Sequence, residues 1–165
     1  MLAVKNVSKK GNRMPSLFMV MLGGRHARAN TEVHDVVFAV ADSLEESYPQ
    51  LKNAWFGEQK GLHIDAWMQV EGVESAGKKY QIQFSDAQPQ AEDEKLWLIN
   101  LGGYDTREFG ELHRYVLVVA PHAADIIHEL ALAVKYGLTA RQVAETPHAF
   151  LSWSEAVRVA AGKLV

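Results

Sequence analysis

The alternation of apolar and polar positions divides the chain into short apolar runs separated by polar loops. Residues 16–22 form a continuous apolar run that ends in Gly-Gly, a pattern that predicts a buried strand followed by a turn. Residues 63–70 and 79–84 alternate with period two, which is typical of half-buried strands. The complete pattern predicts strands at residues 16–22, 34–41, 63–70, 79–84, 96–100 and 114–120.

Helical periodicity follows the second and the last of these strands. Residues 43–56 carry apolar side chains three to four positions apart, and Pro49 inside the pattern predicts a kink or a late start. Gly137 is the expected end of a second helix, and Thr139 is the expected N-cap of a third. The C-terminal part of the chain is predicted to be helical at residues 125–135, 139–145 and 152–162.

The order of these elements predicts the fold class. Strands come in adjacent pairs and do not alternate with helices, which favours a mixed or antiparallel sheet with helices on one face, in the α+β class. A compact sheet wrapped around one helix, as in β-grasp folds, is the specific expectation. We expect a disordered leader at residues 1–14, an α+β domain at 15–120, and a helical tail at 121–165 that packs on this domain and serves as an interface element.

One segment of the chain is similar to another at a fixed offset. Residues 17–41 recur without a gap as residues 96–120, and ten of the 25 aligned positions are identical. Each copy contains Leu-Gly-Gly followed by Glu-x-His, so the sequence predicts an internal strand–strand–helix repeat. The Gly-Gly pairs predict tight turns with positive φ. An anion-binding backbone nest is the alternative, and Arg25 and His26 after the first pair favour it.

Composition and charge exclude several classes of function. The net charge is −3, and the basic residues are not interleaved with aromatic ones, so no nucleic-acid partner is expected. No apolar stretch reaches the roughly 18 residues that a membrane span needs. The absence of cysteine excludes disulfides, thiolate metal sites and dithiol redox chemistry. Residues 1–14 have no secretory apolar core, and the cytoplasm is the expected location.

Residues 16–120 carry an ordered series of motifs that resembles one bacterial family. In order along the chain, these motifs are LGG, N-x-E-x-H-D (Asn30 to Asp35), YPQL (Tyr48 to Leu51), WFG (Trp55 to Gly57), LHID (Leu62 to Asp65), NLGGY (Asn100 to Tyr104) and F-x-E-L-H (Phe109 to His113). The segment is similar to the bacterial domain-of-unknown-function family 1543. This resemblance implies a small bacterial protein and brings no activity with it.

Residues 121–165 resemble a different family, the C-terminal dimerisation domain of pyridine-nucleotide disulfide reductases of the mercuric and lipoamide type. The resemblance implies a homodimer with Glu155 at the interface, where lipoamide-type members place an active-site glutamate. Phe150 falls on the position of their histidine, and Trp153 lies near it in sequence as a further interface candidate. The chain contains neither G-x-G-x-x-G nor cysteine, so disulfide reductase activity is excluded for this chain alone.

Three pairs of His and carboxylate residues stand two positions apart at predicted strand ends. On a strand such side chains share a face, and imidazole with carboxylate is a suitable ligand set for zinc, manganese or non-haem iron. The main candidates are Glu32, His34, Glu111 and His113, which would converge if the repeated strands lie side by side; His63 and Asp65 rank lower. The alternative is that these pairs are solvated or hydrogen-bonded to turn backbone, because no H-E-x-x-H spacing is present.

The sequence leaves the biological function open between two classes. The leading hypothesis is a non-catalytic binding or interaction module that self-associates, with no cofactor. The alternative is a small metal-dependent or acid–base enzyme that uses the Glu-x-His pairs, with a divalent metal as the one cofactor expected under that hypothesis. A small-molecule or protein partner is not identified by the sequence.

Overall fold

The structure is a computed structural model, and it describes residues 14–75, 77–88, 90–91, 93–103, 107, 109–122, 127, 132–133, 135–146, 157–158 and 161–162. The chain divides into two compact units. Unit 1 comprises residues 1–71 and 82–86, and unit 2 comprises residues 72–81 and 87–165.

Unit 1 is built on a three-stranded antiparallel sheet. Strand β1 (Ser16–Gly24) lies in the centre, with β2 (Val33–Ala41) on one side and β3 (His63–Val70) on the other. One face of β1 presents apolar side chains at every second position, as the period of a strand requires. This face carries Phe18, Val20 and Leu22, which are all buried.

A single helix covers this apolar face. Helix α1 (Leu44–Ala54) begins at Ser43, whose Oγ accepts a hydrogen bond from the Glu46 amide. The buried side chains of Leu51 and Trp55 join the sheet residues in one core cluster. Leu51 is on the helix and Trp55 is its C-cap, so the helix and its end together fix the direction of the chain that leads to β3.

The side chain of Gln50 attaches α1 to the free edge of β2. Its Nε2 donates to the Val40 carbonyl over 2.7 Å, and its Oε1 accepts from the Val40 amide over 3.1 Å. An edge strand offers unpaired backbone groups, and an amide side chain satisfies one donor and one acceptor together.

Unit 2 contains two antiparallel hairpins and short helices. Strand β4 (Gly72–Ser75) pairs with β5 (Lys78–Gln81), and β6 (Lys95–Gly103) pairs with β7 (Leu112–Ala120). The buried hydroxyl of Ser75 donates to the Val119 carbonyl and accepts from the Val119 amide, so β4 is joined to β7. Helix α2 (Ala140–Glu145) starts with a capping box at Thr139.

The core of unit 2 lies between β7 and its helical residues. It consists of the buried residues Val118, Ala120, Ala133, Val143, Val157 and Ala161. The indole of Trp97 packs against this cluster and donates its Nε1–H to the Ala120 carbonyl over 2.9 Å. Tertiary packing of this kind supplies most of the stability of helices as short as α2.

The predicted α+β class is confirmed, and every strand pair in the described residues is antiparallel. Two local expectations are wrong. The Gly-Gly pairs do not form turns, because Gly23 and Gly24 lie within β1, Gly102 and Gly103 lie within β6, and none of them has positive φ. Helix α1 starts at Leu44 and runs through Pro49 to Ala54, so it does not start late; a kink at Pro49 stays a prediction.

Of the other predicted element ends, one strand end is wrong and one helix end is confirmed. Strand β5 ends at Gln81, three residues before the predicted end. The expected end of a helix at Gly137 is confirmed by its φ of 63° and by a bond from the Leu138 amide to the Ala133 carbonyl. Residues 1–13 of the predicted leader at residues 1–14, and most of the predicted helix at residues 152–162, lie outside the described residues.

The two hairpins β1–β2 and β6–β7 pair in corresponding registers. Gly23 lies opposite His34, and Gly102 lies opposite His113. Both pairings place a glycine across from the histidine of a Glu-x-His motif. That the two segments are copies of one repeated unit stays a prediction.

Candidate functional site

Two histidines flank one glycine across the sheet of unit 1. Gly23, on the central strand, pairs with His34 on β2 and with His63 on β3. Paired residues on neighbouring strands point to the same face. The sheet therefore directs both imidazoles over the backbone of Gly23, on the face away from the core.

The carboxylates of Glu32 and Asp65 complete a cluster of four side chains. His63 Nε2 lies 3.1 Å from Glu32 Oε1 and 3.1 Å from Asp65 Oδ1. His34 Nε2 lies 3.3 Å from Asp65 Oδ2 and 4.0 Å from Glu32 Oε2. Each carboxylate thus faces both histidines, and we call Glu32, His34, His63 and Asp65 the quartet.

An irregularity in β3 brings Asp65 to this face. The register between β1 and β3 shifts between Met21 and Leu22: Met21 pairs with Ala66, whereas Leu22 pairs with Ile64. Asp65 is the extra residue on β3, and bulges of this kind redirect a side chain. The bulge lets Asp65 meet both His63 and His34.

The missing side chain of Gly23 leaves the space that the quartet occupies. A Cβ atom at this position would collide with Asp65 Oδ2 and would lie 2.8 Å from His63 Nε2. Glycine is therefore required here for close approach and not for an unusual φ. The sequence marks the position, but the expected reason, a turn, is wrong.

The tautomer of His63 follows from its second nitrogen. Nδ1 lies 2.9 Å from the Gly61 carbonyl oxygen, which only accepts hydrogen bonds, so Nδ1 carries a hydrogen and donates it. In the neutral ring Nε2 then has a lone pair that faces two carboxylates. The bond to Gly61 favours the charged ring and is the main reason why the pKa of His63 is raised above 6.5, with Asp65 and Glu32 adding to it against the opposing effect of burial.

The quartet is open to solvent on one side. The side chains of His34, Glu32 and His63 are 46–47% exposed, and that of Asp65 is 30% exposed. Glu32 and His63 form part of the wall of a cleft of about 500 Å³, together with Arg25 and Lys60. On its other side His63 borders an apolar cavity of about 330 Å³ that includes Leu62.

The sequence-predicted candidates separate into two groups. Glu32 and His34 join His63 and Asp65, the pair that the sequence ranks lower. Glu111 and His113 belong to unit 2, where His113 Nε2 lies 3.7 Å from Glu111 Oε2 and its Nδ1 lies 3.1 Å from Asn100 Oδ1. The convergence of all four repeat residues stays a prediction, and Phe150, Trp153 and Glu155 lie outside the described residues.

The second hairpin contains only part of the same arrangement. Gly102 again leaves room for a side chain, because a Cβ there would collide with Glu111 Oε1. Residues 142 and 144, which follow His63 and Asp65 at the repeat offset, are Gln142 and Ala144 on helix α2. In the described part of unit 2, the Glu-x-His motif is thus without the strand that completes the quartet in unit 1.

Comparisons with known proteins identify the family of the chain. Residues 29–84 match the family model of a Domain of Unknown Function (DUF1543), and residues 116–161 match that of the pyridine nucleotide-disulphide oxidoreductase dimerisation domain. The crystal structure of protein Il1583 from Idiomarina loihiensis is similar at 30% identity with a TM-score of 0.55, covering 73% of each chain. No curated protein matches the chain.

This is an α+β protein of antiparallel hairpins with a reductase-like C-terminal segment. Its residues 29–84 match the DUF1543 family model and its residues 116–161 match the reductase dimerisation model, which confirms both resemblances predicted from sequence. The relatives support a bacterial protein of unknown function, and neither family model indicates a cofactor-binding domain. No helix within the described ranges is long and apolar enough to cross a membrane.

Proposed function

We propose that unit 1 is a binding module for a divalent metal ion, held by the quartet of Glu32, His34, His63 and Asp65. The observation that carries the proposal is the environment of His63 Nε2. In the neutral ring its lone pair faces two carboxylate oxygens at 3.1 Å each. Three electron-rich atoms at this separation repel one another unless a cation, either a proton or a metal ion, lies among them.

The separations of the donor atoms support a metal ion. Zinc binds imidazole nitrogen and carboxylate oxygen at about 2.0–2.2 Å, so neighbouring ligands of a tetrahedral ion lie about 3.3–3.6 Å apart. The contact of 3.3 Å is in this range, the two contacts of 3.1 Å are slightly shorter, and the fourth, of 4.0 Å, is longer.

The side chains of the quartet have to rearrange in order to bind the metal. As they stand, no three His, Asp or Glu side chains in the described residues are arranged to hold a metal ion. The closing movement falls mainly on His34 and Glu32, whose contact is the longest and whose side chains are half exposed. The Gly61 carbonyl already holds the His63 ring as backbone carbonyls hold metal-ligating histidines.

Calorimetric titration of the chelator-treated full chain with Zn²⁺ tests this proposal. We expect one Zn²⁺ per chain and weaker binding by more than about 100-fold in His34→Ala, because loss of outer-shell partners alone weakens metal sites by about 10–100-fold. His113→Ala removes the corresponding histidine of unit 2 and is the matched control, with affinity unchanged. Absence of Zn²⁺ binding, or equal effects of the two variants, would contradict the proposal and leave the quartet as an ion-pair network.

The same site supports a metal-dependent or acid–base enzyme as a second candidate. With four protein ligands in place, a substrate would enter as a fifth ligand, and the exposure of Glu32 and His63 beside a cleft favours this candidate. An exchangeable ligand on the bound metal is the property that separates it from a purely structural site. We expect such an enzyme to act in the cytoplasm.

Self-association is a third, independent candidate, favoured by the match of residues 116–161 to a reductase dimerisation domain. We expect a homodimer in native mass spectra of the full chain. Trp153→Ala and Phe150→Ala should shift it towards monomer, because large aromatic side chains contribute most to interfaces. A monomer in the wild type, or a dimer that is equally stable in both variants, would contradict this candidate.

A further inference from the structure

The wall of the cleft beside the quartet contains charged side chains that are not needed to bind the metal. The cleft has a volume of about 500 Å³, and its wall contains Glu32 and His63 from the quartet together with Arg25, Lys60, Gly61 and Glu58. The two cationic side chains come from different loops, Arg25 directly after β1 and Lys60 shortly before β3. A backbone hydrogen bond joins the two loops, because the Glu58 amide donates to the Arg25 carbonyl over 2.8 Å.

The formal charges around the cleft favour an anion once the metal is bound. The two carboxylates of the quartet balance a divalent ion when both histidines are neutral. Arg25 and Lys60 then exceed Glu58 by one positive charge. No ion pair joins Glu58 to either cation within the described part of unit 1, so neither cation is neutralised by direct contact.

Arg25 also borders a second cleft, of about 610 Å³, lined by residues of the loop between β1 and β2. This loop adds the basic residues His26 and Arg28, and the Arg28 amide donates to His26 Nδ1 over 3.2 Å. The wall of this second cleft also contains the carboxylates of Glu32 and Glu58. Arg25 therefore lies on the walls of both clefts, together with Glu32 in each.

We propose that the metal at the quartet takes a small oxyanion, a phosphate or carboxylate group, as its exchangeable ligand, with Arg25 and Lys60 as the contacts outside the coordination shell. This inference rests on the proposed metal site. One oxygen of the anion would join the four quartet ligands as a fifth, an expansion that zinc sites accept, and the other oxygens would accept hydrogen bonds from the guanidinium and ammonium groups. Such charge-assisted bonds are the strong ones, and guanidinium binds two oxygens side by side.

Cobalt spectroscopy of the full chain tests the inference. Co²⁺ replaces zinc in such sites, and its visible absorption changes when a ligand enters its coordination shell. Inorganic phosphate and acetate are titrated separately into the Co²⁺-loaded protein. We expect a saturable change with at least one of them; phosphate alone assigns a phosphate ligand and acetate alone a carboxylate.

Charge variants locate the anion. Lys60→Gln should weaken anion binding by about 3–5-fold, and Arg25→Gln/Lys60→Gln by about tenfold or more, because contacts with exposed charges contribute up to about 1 kcal/mol each. Lys52→Gln is the matched control: it removes an exposed lysine of unit 1 that lines the apolar cavity instead. Cobalt affinity should be the same in all variants.

The outcomes separate this inference from the proposal on which it rests. Co²⁺ binding without a spectral response to either anion overturns the oxyanion and leaves the metal site. Equal weakening by Lys60→Gln and Lys52→Gln also overturns it, because the effect would then be one of net charge. Failure of the wild-type chain to bind Co²⁺ contradicts the metal site, and the inference fails with it.

Discussion

The imidazole of His63 donates its Nδ1–H to the Gly61 carbonyl across 2.9 Å, and this single bond decides which nitrogen faces the carboxylates. Gly61 has a φ of 86°, a left-handed conformation that suits glycine, so the turn before β3 presents its carbonyl to the ring. The local chain Gly-Leu-His therefore orients the ring before any metal is present. Such preorganisation lowers the entropic cost of binding.

Gly23→Ala should strongly weaken metal binding while the fold is retained. The added Cβ would collide with Asp65 Oδ2 and approach His63 Nε2, both at the ends of movable side chains, so these side chains move and the backbone keeps its pairing. We expect Zn²⁺ affinity to fall by about 100-fold or more, as for loss of a ligand, with the far-ultraviolet circular dichroism spectrum unchanged.

Gly102→Ala provides the matched control in the other hairpin. Its Cβ would collide with Glu111 Oε1, an atom of the corresponding Glu-x-His motif of unit 2. Wild-type affinity is expected in this variant. Equal losses in both variants would mean that added bulk, and not the space over Gly23, is responsible.

Gln50→Ala should destabilise unit 1 at its sheet edge. The variant leaves the Val40 amide and carbonyl without their two bonds, each worth about 1 kcal/mol or less at a solvent-accessible position. We expect the free energy of unfolding in urea to fall by about 1–2 kcal/mol, with metal affinity unchanged. In Gln59→Ala, which loses one bond to the Lys52 carbonyl, the free energy of unfolding should fall by about half as much. A larger loss of stability in Gln59→Ala than in Gln50→Ala would contradict the role of Gln50 at the sheet edge.

The raised pKa of Tyr80 predicts that the folded state loses stability at alkaline pH. Burial, followed by the hydrogen bond that its hydroxyl donates to Glu94 Oε1 and the charge of Glu94, raises the pKa of Tyr80 from 10.0 to about 12. The raised pKa means that the folded state favours the neutral phenol. The stabilisation is complete below pH 10 and is lost as the pH rises from 10 to about 12.

Difference absorbance near the phenolate band, wild type minus Tyr80→Phe, measures this titration. Glu94→Gln keeps an acceptor and removes the charge, so it should lower the pKa of Tyr80. A midpoint at or below 10 in the wild type would contradict the assigned environment.

The sequence predicts the strands of the hairpins β1–β2 and β6–β7 because apolar runs depend only on local pattern, whereas β4 (Gly72–Ser75) lies where the sequence predicts a loop. It also selected every member of the quartet, through two pairs with a spacing of two. It did not predict which pairs meet, because β3 pairs with β1 through a bulge at Asp65, and a one-residue shift is not visible in an alternating pattern. The role of Gly23 was misassigned for a related reason: close approach and positive φ both require glycine, and only the register distinguishes them.

The most direct test of the metal site is the anomalous diffraction of Zn²⁺-soaked crystals of the full chain, measured on both sides of the zinc edge. We expect one strong peak about 2.0–2.2 Å from Nε2 of both His34 and His63, with oxygens of Glu32 and Asp65 at similar distances. A peak confined to Glu111 and His113, or no peak over Gly23 in crystals that contain zinc elsewhere, would contradict it.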